Sequence, residues 1–235
     1  MPPQRALLER QTWGGGFCAL CLLLVAGLLS GCQASDTDNR LGRFFAELVF
    51  GSGDAYEGTS GRLVKWTGAV GFHLSGIDIA EHEPKLATAL ARFSALTGVA
   101  VAPATESAAN LRIVFVPEES FEINQTTSSH ETVPCAAAIK SGEQGIERAM
   151  IRISVAEEEL IEECIAHELM HAFGFRHHSG LVRSALSPFH GKDTLTVWDE
   201  TALKILYDPE IRHNAGRNAV MPIARRRISE FVAGR

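Results

Sequence analysis

The twelve residues His167-Glu168-Leu169-Met170-His171-Ala172-Phe173-Gly174-Phe175-Arg176-His177-His178 constrain this chain more than any other stretch. On a helix, positions i and i+4 share a face one turn apart, so His167 and His171 can direct ring nitrogens at one point. That is the geometry a zinc ion needs. Glu168 follows the first histidine directly, which sets a carboxylate beside the ion, where it can take a proton from an activated water instead of binding the metal. It reads as the general base. Gly174 stands where the helix has to stop, because glycine adopts a positive φ without strain. Past that turn, His177 is placed to return as a third nitrogen ligand and leave a fourth tetrahedral position open, the mark of a catalytic zinc. His178 is expected at the rim of the site or behind its ligands.

As it stands in the chain, HExxHxxGxxH resembles the zinc signature of the metzincin metallopeptidases, and HELMHAFGFRH is particularly similar to that of the astacins. The resemblance implies an α+β, zincin-like fold: a small twisted mixed sheet packed on an active-site helix, with a further helix near the C-terminus. It also implies an endopeptidase acting on a peptide or protein substrate, with Zn2+ held by His167, His171 and His177 and Glu168 as the catalytic base. Metzincins carry a methionine turn beneath the metal, and the corresponding stretch here is Ser184-Ala185-Leu186-Ser187-Pro188-Phe189. Aligned on Pro188 as in the matrixin form, Leu186 takes the methionine's place with a similar volume; Met221 is the other candidate. A second resemblance is carried by Arg43-Phe44-Phe45 with Val49-Phe50-Gly51, by Cys164, and by Leu206-Tyr207-Asp208-Pro209. It is to a family of bacterial envelope lipoproteins of unknown function, and it supports the fold more than the activity. The competing functional reading is therefore a catalytically inactive metzincin-like envelope protein that binds or scaffolds a partner.

The N-terminus points to the same compartment. Arg5 and Arg10 precede an apolar run from Phe17 to Leu29, too short to span a bilayer as a helix and well sized for a signal peptide. The run ends Leu29-Ser30-Gly31-Cys32, which resembles the lipobox of bacterial lipoproteins. Residues 1–31 are expected to be removed, Cys32 to carry lipid, and 32–40 to form a tether. Gln33 after the lipidated cysteine implies the periplasmic face of the outer membrane. Cys18 and Cys21 leave with the signal, so Cys135 and Cys164 remain as a pair that an oxidising periplasm would join. The net charge of −6 gives no argument for nucleic acid as a partner.

The remaining sequence, 46% hydrophobic, suits one domain, expected over 41–210 and followed by a basic tail over 211–235. Residues 44–50 read as a buried helix broken at Gly51, and 63–74 as a strand or hairpin arm. Leu86, Leu90, Phe93 and Leu96 recur at helical spacing over 83–96, with Pro84 in the first turn and Gly98 past the end. Residues 111–116 read as a strand, 124–132 as a loop, and 149–155 as a strand with Ile151 and Ile153 facing inward. Ser154 and Glu157 suggest a capping box for the histidine helix. Thr196 or Asp193 is expected to cap a helix running to Tyr207.

Overall fold

The computed structural model describes residues 36–51, 61–117, 134–188 and 194–234. The leader, Cys32 and the loop expected over 124–132 lie outside the described residues. Five strands form one sheet, β1 (Val70–Gly76), β2 (Val101–Pro103), β3 (Leu111–Val116), β4 (Cys135–Gly142) and β5 (Gly145–Ser154), in the order β2-β1-β3-β5-β4. All neighbours are parallel except β4, which runs antiparallel to β5 at the edge. Five helices accompany the sheet among the described residues: α1 (36–50), α2 (Ile79–Thr97), α3 (Ile161–Ala172), α4 (Val197–Leu206) and α5 (Arg217–Ala233). The class is thus mixed α and β, with a sheet that is mostly parallel. No helix among the described residues is long and apolar enough to cross a membrane.

Alternation along β5 places α3. Ala149, Ile151 and Ile153 are buried while Arg148 and Met150 are exposed, so one face of the sheet carries the core. Through the register Cys135↔Ile153 and Ala137↔Ile151, that face continues onto β4. Against it lies α3, whose apolar residues Ile161, Ile165 and Leu169 recur at intervals of four. Each such side chain, fully buried, contributes roughly 1.5–3 kcal/mol. A disulfide between Cys135 and Cys164 joins the edge strand to this helix, with Cα atoms 5.8 Å apart, as expected of that pair.

Several boundaries differ from the sequence reading. Helix α2 starts at Ile79, so Pro84 lies inside it and not in its first turn; Gly98 closes it in the left-handed conformation, φ 72°. The capping box over Ser154 and Glu157 does not form. A 3-10 turn, Glu158–Leu160, precedes α3, and the Ser154 hydroxyl accepts from the Ala156 amide instead. The largest correction is at the C-terminus, where 211–235 is no tail. Val220, Met221, Ala224 and Ile228 form a buried stripe along α5, and Ser229 donates to Asp38 at 2.9 Å. The arginines that make the segment look solvated sit on its outer side: Arg226 and Arg227 pair with Glu210, and Arg227 also with Asp208.

Candidate metal centre

Helix α3 presents His167 and His171 one turn apart, and their Nε2 atoms lie 3.2 Å from each other. The third imidazole is His178, not His177. Its Nε2 is 3.1 Å from that of His167 and 3.3 Å from that of His171. The cause is the turn after α3. Gly174 has φ 118°, as expected, and a Cβ there would collide with the Val64 carbonyl oxygen. Beyond it, the amides of Arg176 and His177 both donate to the Leu48 carbonyl of α1. That anchoring seats the His177 ring beside Gly51 and delivers the next ring to the cluster. Two adjacent histidines were both within reach in sequence. The backbone bonds to α1 decide between them.

The donor set fits a tetrahedral metal ion. His167 Nδ1 donates to the Ala185 carbonyl at 2.8 Å and His171 Nδ1 to the Phe175 carbonyl at 2.7 Å, which fixes the tautomers and leaves both Nε2 lone pairs facing inward. Two lone pairs aimed at each other and at the His178 Nε2 favour a cation between the three nitrogens. With Zn–N bonds of about 2.0–2.1 Å, a tetrahedral site requires nitrogens separated by about 3.3–3.4 Å, close to the triangle observed. Burial pushes the His167 pKa down to about 4, helped by His178, and that of His171 down to about 3, helped by His167. Burial lowers His178 as well, with His177 adding to it. All three rings therefore remain neutral, as ligands must be. Among the described residues this is the cluster of histidine, cysteine and acidic side chains with ligand atoms close enough to share one ion.

Glu168 is 2% exposed. The amide of Ala137 on β4 donates to its carboxylate, while Oε2 makes no hydrogen bond among the described residues. Desolvation pushes its pKa up to about 8 against that amide's pull. The disulfide sets up the contact. From Cys135 to Ala137 a strand rises about 6.6 Å, and from Cys164 to Glu168 a helix rises about 6 Å, so pinning the first pair brings the second into register.

Side chains from elsewhere close the C-terminal end of α3. Trp66 Nε1 donates to the Ala172 carbonyl at 2.9 Å and the Tyr207 hydroxyl to that of Phe173 at 2.9 Å, satisfying carbonyls that a helix end leaves free. Tyr207 is thus architectural, and burial raises its pKa. Leu186 is fully buried one residue after the carbonyl that holds His167, and Met221 lies on α5. The acceptor carbonyls of Ala185 and Phe175 carried no sequence signal, since any residue supplies a carbonyl.

With this geometry in hand, comparison with known proteins gives a family. The chain belongs to DUF2927, a family of proteins of unknown function, whose model matches residues 38–226 and so takes in most of α5. No curated protein matches the sequence.

Proposed function

We propose that this protein is a zinc-dependent peptide hydrolase of the metzincin kind, lipid-anchored at Cys32 on the periplasmic side of a bacterial outer membrane. One observation carries the reading: three imidazoles converge on one point, and the residue that directly follows the first of them is a buried carboxylate with one oxygen lacking a partner among the described residues. Burial of an unpaired carboxylate is costly, and such groups persist where chemistry requires them.

His167, His171 and His178 would hold the zinc, which would supply Lewis acidity toward the scissile carbonyl and lower the pKa of a water. The chain's own residues do the rest. His167 and His171 keep their Nδ1 protons on backbone carbonyls, which turns their Nε2 lone pairs inward, and burial keeps those nitrogens unprotonated near neutral pH. Glu168, in its ionised form, would accept a proton from the attacking water as the water's oxygen bonds to the carbonyl carbon. The same carboxyl then gives that proton to the departing amine as the C–N bond breaks. The Ala137 amide orients the carboxylate throughout.

Metal analysis of the purified domain together with Glu168→Gln on a mixed peptide substrate tests this. About one zinc per chain is expected in both proteins, with hydrolysis lowered at least 10²- to 10⁴-fold in the variant. Equal hydrolysis by the two proteins refutes the mechanism. Stoichiometric zinc without hydrolysis in either favours the metzincin-like binding or scaffolding protein.

A further inference from the structure

Asp199 is a buried carboxylate that the chemistry above leaves unused. It is fully buried at the start of α4, and four donors converge on it. Oδ1 accepts from the Ser184 hydroxyl at 2.6 Å. Oδ2 accepts from the Ala185 amide at 3.1 Å, the Thr196 amide at 2.8 Å and the Thr196 hydroxyl at 2.7 Å. The bonds to Thr196 complete a capping box, which the helix needs whatever the protein does. Those to Ser184 and Ala185 reach across to a different segment. That segment holds the metal centre.

The Ala185 carbonyl is the acceptor of His167 Nδ1, and the next carbonyl, that of Leu186, accepts from the amide of Ser179, which directly follows His178. The Leu186 amide in turn donates to the Ser184 hydroxyl, which donates to Asp199. We propose that Asp199 is a positioning residue for the metal centre, fixing residues 184–186 so that their successive carbonyls orient His167 and the backbone beside His178. The remaining ligand, His171, is independent of it. His171 is held by Phe175, within its own turn. Residues that orient metal-bound imidazoles through one intermediary are typically worth 10- to 100-fold in affinity. This inference rests on the metal-site reading above.

Asp199→Asn tests it at nearly constant volume. A carboxylate offers only acceptors, whereas the amide presents an NH2 on one side. Turned one way, that NH2 confronts the Ala185 and Thr196 amides; turned the other, it leaves the Ser184 hydroxyl proton without an acceptor. Thr196→Val is the control, because it weakens the helix cap while leaving the bonds to Ser184 and Ala185 intact. Zinc affinity measured against a chromophoric chelator should fall about tenfold or more in Asp199→Asn and stay within about twofold in Thr196→Val, although both lower the melting temperature. At saturating Co2+, the visible spectrum should change in Asp199→Asn alone. In the metal-free protein, the proton resonance of His167 Nδ1–H should shift or broaden while that of His171 does not. Should Asp199→Asn fail to fold, Ser184→Ala cuts the Leu186-to-Asp199 relay and is expected to lower affinity in the same direction by a smaller factor. Affinity and cobalt spectrum unchanged in whichever of these variants folds overturn the proposal, as does an equal loss of affinity in Thr196→Val. A wild-type protein that binds no zinc overturns the metal-site reading itself, and this inference with it.

Discussion

Among the described residues, two carboxylate side chains, Glu168 and Asp199, are buried, and their surroundings are opposite. Asp199 receives four hydrogen bonds, whereas Glu168 receives one amide and has an oxygen without a partner among the described residues. The same division runs through the neighbouring groups. Lys65, buried beneath α4, donates to the carbonyls of Leu206, Asp208 and Ile211, so a cation there replaces missing helix bonds. The histidine cluster instead turns lone pairs on one another. A polar group with every bond made is architecture; one held short of its bonds is available for a ligand or a proton.

The sharpest way to break that contrast is at the third ligand. His178→Ala should weaken zinc binding on the order of 10³-fold yet leave the metal-free fold within about 0.5 kcal/mol, while His177→Ala leaves affinity near wild type. Chelator competition and urea melts read both, and the reverse ranking of the two variants refutes the assignment. Next in size, Asp199→Ala strands four donors and should lower unfolding free energy by about 3–5 kcal/mol. A loss below about 1 kcal/mol would mean that these bonds are weaker than their geometry implies.

Glu168→Gln should do the opposite in metal-free protein. With the folded pKa raised to about 8 from 4.5, the native state binds more protons than the unfolded chain between those values, so stability falls as pH rises through that window. Glutamine does not titrate, and the variant should be more stable than wild type by roughly 4 kcal/mol at pH 8, with the gap closing toward pH 4.5. Parallel pH profiles for the two proteins count against the burial argument. The smallest effect is expected at Lys65, whose pKa burial lowers against the pull of Asp208. There the unfolded chain holds the extra proton, so stability gains as pH climbs from the lowered value toward 10.5. Lys65→Met should cost about 1 kcal/mol at pH 7 and lose that gain, as chemical melts across the alkaline range will report.

How much of this was legible in the sequence follows the same line. The helix bearing His167, Glu168 and His171, the stop at Gly174, the β3 and β5 strands and the Cys135–Cys164 pair all come from local spacing or cysteine number. What spacing could not decide was anything set by contacts distant in the chain. His178 enters the site because Leu48, on α1, captures the two preceding amides. Helix α5 forms because a narrow stripe of four apolar residues finds a partner surface, although Pro222 and the arginines argue for solvent. β4 has three alanines between Cys135 and Ile139, with little apolar alternation of its own, and is a strand because β5 lies beside it.

The bond between Ser229 and Asp38 has a consequence for engineering. The first turn of α1 and the last turns of α5, near the two ends of the family-matched region, therefore sit side by side. A circular permutant that links these two ends and opens at an exposed loop should retain the histidine triangle. An insertion at the old junction would reach solvent without disturbing it.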